Sequence, residues 1–288
     1  MDRFKGRTAV VTGASRGIGA AVAERLAAEG AAVAVVARTV DHHSHLDGSL
    51  NQTVERCAAY GTQVVAVAAD LSDEESRATI VPTVLDRFDG RLDILVNNAA
   101  AAVYQPLMSY PLKRRRITFE VNVHAPADLI QAAAPVMVEQ GEGWILNLSS
   151  AAARYGEGVA ISDIPLREGM PRPSDMGIYG ASKAALNRLT VAFAQTLAGT
   201  GVRVNTVAPR SGVATEGTIA LIGDSLGADR TESMEAMVEG AVALCDCGPE
   251  RTGGIHYSLD LLEEMGATVM TLDGSAPYPG GFRVGRPD

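Results

Sequence analysis

The sequence predicts an α/β fold in which a doubly wound parallel sheet is flanked by helices on both faces. Short β-branched apolar runs recur along the chain, and longer segments with apolar residues four positions apart separate them. Continuous apolar runs of this length are typical of parallel strands buried between two layers of helices. The six clearest runs are Thr8–Thr12, Ala32–Ala37, Val64–Ala68, Leu92–Asn97, Trp144–Leu148 and Val202–Ala208. Because no linker interrupts them, we expect one Rossmann-type domain over residues 1–288.

Three segments depart from the alternation of strands and helices. Thr39–Gln52 is polar and is predicted to be a loop after the second strand. Ala151–Gly177 is rich in Gly and Pro and is predicted to be a long loop insertion. A last core strand is predicted near Ile255–Leu259, which leaves Leu261–Asp288 as a C-terminal extension. We expect this extension either to pack on a neighbouring subunit or to cover the active site of its own chain.

Composition and charge restrict the class of protein. Lys and Arg number 25 and Asp and Glu number 34, so the formal net charge is −9. A surface that follows nucleic-acid phosphates normally needs a basic excess, and no nucleic-acid partner is expected. The apolar fraction of 47% is too high for a disordered chain. No apolar run approaches the roughly 18 residues of a membrane span. The polar segment Met1–Arg7 leads directly into a strand, so we expect a cytoplasmic protein.

A glycine-rich turn follows the first strand and opens the next helix. Its glycines are Gly13, Gly17 and Gly19. Phosphate binding requires backbone N–H donors at short range, which a Cβ atom would obstruct, and a helix N-terminus adds favourable partial charge. The strand–turn–helix context favours a dinucleotide site over the alternative of a tight turn without a ligand.

Two arginines bear on the choice of cofactor. Arg38 ends the second strand, where an acidic residue would bind the ribose hydroxyls of NAD. An arginine there favours the 2′-phosphate of NADP, and Arg16 in the glycine turn offers a second positive charge. We therefore predict NADP, with NAD as the alternative if both are ordinary solvated arginines.

Tyr179 and Lys183 are four residues apart and share one face of a predicted helix. A free tyrosine has a pKa near 10 and is a poor base at neutral pH. A neighbouring cation favours the phenolate and should lower the pKa of Tyr179. Because such a pair is common in helices, it indicates catalysis only together with other motifs.

Several motifs follow one another along the chain in a specific order. They are Thr12–Gly19, Asp70-Leu71, Asn97-Asn98-Ala99, Asn122, Ser149-Ser150, Tyr179 with Lys183, and Asn205 within Arg203–Pro209. In content and order the chain resembles the short-chain dehydrogenase/reductase family from about Arg3 to Leu259. A weaker resemblance to the hydroxysteroid dehydrogenase-like branch rests on Leu46–Leu50, Lys113–Arg116 and Pro209–Thr215.

The resemblance implies a catalytic set of Asn122, Ser150, Tyr179 and Lys183. Tyr179 would exchange a proton with the substrate oxygen, and Lys183 would lower its pKa and hold the nicotinamide ribose. Ser150 would hydrogen-bond the substrate carbonyl. Asn122 would hold a water in a proton relay behind Lys183.

The resemblance also implies which residues bind the cofactor. Asp70 and Leu71 would flank the adenine, Asn98 and Ala99 would line the ribose, and residues 213–215 would meet the carboxamide and pyrophosphate. The complete implied set is Gly13, Ser15, Arg16, Gly17, Ile18, Gly19, Arg38, Asp70, Leu71, Asn98, Ala99, Ala100, Tyr179, Lys183, Val213 and Thr215.

The insertion separates Ser150 from Tyr179 by more residues than the family usually shows. Ser149 and Ser162 therefore remain alternatives for the catalytic serine. The apolar residues of the insertion are consistent with a lid over an apolar substrate of moderate size, which is one hypothesis. A packed surface loop or a subunit contact is the alternative interpretation.

No metal site is predicted. His42, His43 and His45 lie in a polar segment without a second set of ligands, so a solvated loop is the favoured interpretation. Cys245 and Cys247 end an apolar helix and are predicted to be core residues.

The implied function is that of an NADP-dependent oxidoreductase that interconverts an alcohol and a ketone or aldehyde. A cofactor-binding regulator without turnover, or an epimerase or lyase on the same scaffold, is the alternative. The family commonly pairs the helices that correspond to Thr118–Val138 and Tyr179–Leu197, which implies a homodimer or homotetramer.

Overall fold

A computed structural model of the chain describes residues 2–41, 46–154, 173–222 and 231–281. The strands are β1 (Thr8–Thr12), β2 (Ala32–Ala37), β3 (Val64–Ala68), β4 (Ile94–Asn97), β5 (Gly143–Leu148), β6 (Val202–Ala208), β7 (Gly212–Val213), β8 (Thr231–Glu232) and β9 (Ile255–Tyr257). Seven of them form the central parallel sheet, with the spatial order β3-β2-β1-β4-β5-β6-β9. Strands β7 and β8 form a separate parallel pair. The strand order changes direction between β1 and β4, which confirms the predicted doubly wound fold.

Helices cover both faces of this sheet. They are α1 (Gly17–Ala28), α2 (Leu50–Ala58), α3 (Glu74–Ala78), α4 (Ile80–Arg87), α5 (Leu112–Phe119), α6 (Ala125–Gln140), α7 (Gly177–Thr196), α8 (Glu216–Ile222), α9 (Met234–Leu244) and α10 (Ser258–Met265). Within β1, Ala9 and Val11 pack with α1, α2 and α9, whereas Val10 packs with α4, α6 and α7. Alternate side chains of one strand thus enter two separate cores. In the described part of the chain, no helix has the length and apolar character needed for a membrane crossing.

Four of the predicted strands match the observed bounds, and the other boundaries differ for local reasons. The polar segment predicted to be a loop through Gln52 gives way to α2 at Leu50, because the Ser49 hydroxyl accepts a hydrogen bond from the Gln52 amide at 3.2 Å and caps the helix. The predicted strand Ile255–Leu259 ends at Tyr257. Beyond it, Leu259, Leu261 and Leu262 follow helical spacing in α10 and are buried.

The C-terminal extension packs on its own chain over the residues that are described. Leu262 and Val269 form a small core with Ala236 of α9. The described part of the extension therefore packs against α1 and α9 of its own chain. The proposed lid, which depends on residues 155–172, and the histidines at 42, 43 and 45 lie outside the described residues.

A buried ion cluster fixes this extension to α1 and α9. The guanidinium of Arg25 is 2% exposed and donates to the carboxylates of Glu29 and Glu239, the latter at 2.8 Å. It also donates to the carbonyl oxygen of Thr271 at 3.2 Å, and the Met270 amide donates to Glu239 at 3.2 Å. One arginine thus joins two helices and the extension.

Replacing Arg25 by Met should lower the free energy of unfolding by about 3 kcal/mol, because the two buried carboxylates would keep only the more distant Arg3 guanidinium, 4.0 Å from Glu29 and 3.8 Å from Glu239. Urea unfolding at neutral pH measures this. The matched control is Arg56→Ala, which breaks the exposed pair of Arg56 with Glu24 and should cost less than about 1 kcal/mol. Equal losses in the two variants would contradict a structural role for the cluster.

Candidate active site

The predicted site residues gather at the carboxyl edge of the sheet. They follow β1, β2, β3, β4, β5 and β6, or lie on the helices that begin there. Parallel strands end on the same side, and ligands of doubly wound sheets bind at this edge near the switch in strand order. The switch lies between β1 and β4, the strands that precede the glycine turn and Asn98.

Two glycines of the turn are required by contacts within the protein. A Cβ atom on Gly13, whose φ is +65°, would lie 2.8 Å from the Cα atom of Ala99. On Gly19 it would lie 2.3 Å from the side-chain nitrogen of Asn98. The turn can therefore reach the end of β4 only if both positions lack a side chain.

Asn98 holds this turn in place. Its side-chain N–H groups donate to the carbonyl oxygens of Thr12 at 2.8 Å and Gly13 at 3.2 Å. Its backbone N–H donates to the Thr12 hydroxyl at 3.1 Å. The side chain that the sequence placed beside a cofactor ribose thus also shapes the phosphate turn. No sequence signal separates these two roles, since both require an amide at this position.

The N-terminus of α1 has no side-chain cap, although a carboxylate oxygen of Glu216 lies near it, 3.6 Å from the position of a Cβ atom on Gly17. Arg16 precedes the helix, no side chain caps it, and its first turn contains no acidic residue. Gly17 has a φ of +56°, and a Cβ atom there would lie 3.3 Å from the Thr215 side chain. The glycine turn and Thr215 are therefore packed closely together, and a side chain at position 17 would crowd Thr215.

The two arginines predicted to favour NADP differ in their surroundings. The guanidinium of Arg16 donates to the carbonyl oxygens of Asp47 at 2.7 Å and Gly48 at 2.9 Å. Arg38 is 72% exposed over its side chain, and its nearest acidic oxygen belongs to Asp70 at 3.7 Å. Arg38 is thus the more available of the two for a ligand, whereas Arg16 is partly engaged in holding the loop before α2.

Tyr179, Ser150 and Lys183 come together beneath the end of β5. A hydrogen bond joins the side chains of Tyr179 and Ser150. The Lys183 ammonium donates to the carbonyl oxygen of Leu148 at 2.7 Å and lies 6.0 Å from the centroid of the Tyr179 ring. This arrangement places two hydroxyl groups side by side, with a buried cation behind them.

The pKa of Tyr179 is raised, whereas the sequence led us to expect that it would be lowered. Burial disfavours the phenolate, and the hydrogen bond from Ser150 only partly opposes this effect. Burial also lowers the pKa of Lys183 to about 8, because its ammonium has no carboxylate partner within the described residues. In this geometry desolvation is the largest influence on the pKa of both groups.

The structure distinguishes the candidate serines that it describes. The Ser149 hydroxyl is buried and has no hydrogen-bond partner within the described residues, while the Ser149 amide continues the pairing of β5 with β6 through Val207. Ser150 is the serine that contacts Tyr179. Ser162 lies outside the described residues.

Asn122 braces the base of the site from a π-helical turn at Glu120–His124. Its side-chain oxygen accepts from the Ala101 amide at 2.7 Å, and its nitrogen donates to the Ala101 carbonyl at 3.2 Å and the Ser182 hydroxyl at 3.0 Å. Ser182 in turn donates to the Tyr179 carbonyl at 2.7 Å. Both side-chain N–H groups of Asn122 are used within the chain. A water that Asn122 holds in the predicted relay would therefore have to donate a hydrogen bond to an oxygen atom of Asn122.

Gly180 and Tyr104 contribute to the site although the sequence analysis did not identify them. A Cβ atom on Gly180 would lie 2.6 Å from the Ala152 carbonyl oxygen, so only glycine lets α7 approach the segment after Ser150 this closely. Tyr104 packs edge-to-face on Tyr179 with ring centroids 5.8 Å apart. Gly180 lies within the Tyr179–Lys183 motif, but its role and that of Tyr104 depend on tertiary contacts that the sequence does not indicate.

The described residues contain no cluster of three or more His, Cys, Asp or Glu side chains that could hold a metal ion. Cys245 and Cys247 are buried, as predicted, and so is Cys57. Burial raises the pKa of the Cys57 thiol to about 12, which keeps it protonated at neutral pH.

Comparisons with known proteins show the family of the chain. A family model described as short chain dehydrogenase matches residues 7–162 and 167–222. The chain is 34% identical to a sorbitol dehydrogenase of Cereibacter sphaeroides over 208 residues, which cover 72% of this chain and 71% of that protein. It is 33% identical to a tropinone reductase homolog of Arabidopsis thaliana over 206 residues, or 72% and 68% of the two chains.

The fold is also similar to that of a solved short chain dehydrogenase. The short chain dehydrogenase of Burkholderia cenocepacia, crystallised with NADP, superimposes with a TM-score of 0.72 at 30% identity, over 88% of this chain and 97% of that one. These comparisons do not confirm the resemblance to the hydroxysteroid dehydrogenase-like branch.

Replacing Gly180 by Ala should lower the free energy of unfolding by about 1–3 kcal/mol, because α7 must move away from the Ala152 carbonyl. The same movement should separate Tyr179 from Ser150. Gly217→Ala is the control, since its nearest neighbour would be 3.9 Å away and alanine favours a helix by up to about 1 kcal/mol. Urea unfolding of both variants measures the effect, and stabilisation of both would refute the close-approach argument.

Proposed function

The chain belongs to the short-chain dehydrogenase family of oxidoreductases, and on this premise we propose that it interconverts an alcohol and a ketone or aldehyde with NADP. The observation that carries this proposal is the hydrogen bond between Tyr179 and Ser150, with the buried ammonium of Lys183 behind it. Two adjacent hydroxyl groups suit a carbonyl oxygen, which accepts two hydrogen bonds.

The residues present fit a dinucleotide. The uncapped N-terminus of α1 and the left-handed backbone at Gly17 suit a pyrophosphate. Lys183 has N–H groups beyond the one that bonds Leu148, and these suit ribose hydroxyls. When bound, NADP or NADPH accepts or supplies the hydride.

In carbonyl reduction, Tyr179 gives its phenolic proton to the substrate oxygen while the Ser150 hydroxyl donates to the same oxygen. The raised pKa of Tyr179 keeps this proton in place at neutral pH. As the proton leaves, the ammonium of Lys183 stabilises the phenolate that forms. In alcohol oxidation the same phenolate takes the proton from the substrate hydroxyl.

The preference for NADP rests on Arg38. Its exposed guanidinium stands at the end of β2, beside the strand that leads into the glycine turn. A planar guanidinium binds phosphate through paired N–H donors. Solved relatives with bound NADP support the same preference, among them the enzyme from Burkholderia cenocepacia.

We also propose a substrate class, an assembly and a cellular location for the protein. We infer a small-molecule substrate, with an apolar one favoured by the composition of the insertion. A homodimer or homotetramer is supported by exposed apolar side chains at Leu107, Met108 and Leu112, beside the start of α5. Sedimentation velocity tests the assembly, and cell fractionation tests the inferred cytoplasmic location.

Replacing Tyr179 by Phe should reduce turnover of ketones and aldehydes by about 10²–10⁴-fold, because the proton donor is lost while the ring remains. NADPH should still raise the melting temperature of the variant. Consumption of NADPH over a panel of carbonyl substrates measures turnover. The exposed Tyr60, changed to Phe, serves as a control with unchanged rates. Full turnover by the Tyr179 variant would remove that hydroxyl from the mechanism.

Replacing Arg38 by Ala should weaken NADPH binding by about tenfold and leave NADH binding unchanged, because only NADPH carries the 2′-phosphate. Calorimetric titration with both nucleotides measures the difference. Arg87→Ala removes another exposed arginine and should change neither affinity. Parallel weakening of NADPH and NADH in the Arg38 variant would contradict a phosphate contact.

A further inference from the structure

A buried carboxyl group lies behind the loop that carries Val213 and Thr215. It belongs to Glu232, which is 5% exposed and pairs with Val213 in the small sheet of β7 and β8. We propose that Glu232 is a positioning residue that holds the loop at residues 209–215 against the cofactor site, and that its negative charge strengthens nucleotide binding. This inference rests on the proposed function, because it assumes that this loop meets the nucleotide.

The hydrogen bonds of Glu232 carry the inference. Its Oε2 atom accepts from the backbone amide of Arg210 at 2.9 Å, and the backbone amide of Ser211 also donates to the carboxylate. Its Oε1 atom accepts from the Ser258 hydroxyl at 2.5 Å. The carboxylate therefore joins the start of the loop to the first residue of α10. It satisfies backbone N–H groups that would otherwise lack a partner at this bend.

The loop leads from the end of β6 to the glycine turn. After β7 it reaches Thr215, whose side chain lies 3.3 Å from the position of a Cβ atom on Gly17. Thr215 then caps α8, since its hydroxyl accepts from the Thr218 amide at 3.1 Å. A shift of the loop at Arg210 would therefore be transmitted along a short, paired segment to the residue that faces the phosphate turn.

The charges around Glu232 make its own charge conditional on pH. Several charged side chains lie on the elements nearby, among them Glu235 and Glu239 on α9, Asp260, Glu263 and Glu264 on α10, and His256 on β9. The one whose charge acts on Glu232 is Asp260, which forms an ion pair with Arg210. The guanidinium of Arg210 is thus directed to Asp260, and Glu232 receives only the Arg210 backbone amide. Burial raises the pKa of Glu232 to about 7, against the lowering effect of its hydrogen bonds, and Asp260 raises it slightly further.

Binding and stability should respond to this ionisation with opposite signs. Above about pH 7 the ionised carboxylate accepts charge-assisted hydrogen bonds, which are stronger than those of the neutral acid, so the loop is held best and nucleotide binds more tightly. The free energy of unfolding behaves differently, because the native pKa lies above the unfolded value. The stabilisation contributed by Glu232 is fully present below the pKa that this residue has in the unfolded chain, and it is lost as pH rises through the native pKa of about 7.

The test is Glu232→Gln, which has nearly the shape of the carboxylic acid and no charge. NADPH affinity is measured calorimetrically at about pH 6 and about pH 8.5, with Glu264→Gln, an exposed residue paired with Arg251, as the matched control. Between these pH values the affinity of the wild type and the control should rise by about three- to tenfold more than that of Glu232→Gln. Titration of the nucleotide phosphate and of Lys183 is common to all three proteins and cancels in this comparison.

A second variant, Ser258→Ala, removes a donor to the carboxylate and should move the midpoint of the affinity profile to higher pH. It also keeps the inference testable if the Gln variant does not fold. An unchanged midpoint, or a Gln variant with the wild-type pH profile, would overturn the role of Glu232 and leave the proposed function intact. Failure of the wild type to bind NADPH would overturn both.

Discussion

The contact between α7 and the carboxyl ends of β4, β5 and β6 is the constraint on which the site depends. Gly180 permits the approach, and a chain of buried hydrogen bonds fixes it. This chain runs from Asn97 to Asn147 at 2.9 Å, from Asn147 to Thr190 at 2.9 Å and from Thr206 to Thr190 at 2.8 Å. It joins three strands to the helix that carries Tyr179 and Lys183. Because a buried polar group without a partner is costly, the helix has one favourable rotation on the sheet.

Much of the fold and part of the site could be predicted from sequence, for a physical reason. A strand such as Thr8–Thr12 is specified by its own apolar residues, and four strands have the predicted bounds. Catalytic chemistry likewise demands particular residue types, so Tyr179 and Lys183 stand out. Contacts between distant segments leave no such pattern. The role of Gly180 depends on a carbonyl oxygen 28 positions earlier in the chain. The first residues of α10 continue an apolar run and were therefore predicted as the end of a strand.

Three buried ionisable groups differ in whether an opposite charge compensates their loss of solvation. Arg25 is surrounded by two carboxylates, and its charge is compensated within a cluster that joins helices. Lys183 has a carbonyl oxygen as its partner, and Glu232 has amides and a hydroxyl. The two groups that lack a direct opposite charge are the two whose pKa values approach neutrality, and both lie beside the candidate site. The buried groups without an opposite charge, Lys183 and Glu232, thus lie where a change of protonation would affect binding or catalysis.

The Arg25 cluster also has a consequence for the order in which the chain can fold during synthesis. Arg25 belongs to the first helix that leaves the ribosome, but its partner Glu239 is 214 residues later and its contact at Thr271 is 246 residues later. Glu29, four residues after Arg25, is made at once, but the second carboxylate and the Thr271 carbonyl oxygen are missing through most of translation. Completion of the C-terminal segment then acts as the final, stabilising step for a helix made at the beginning.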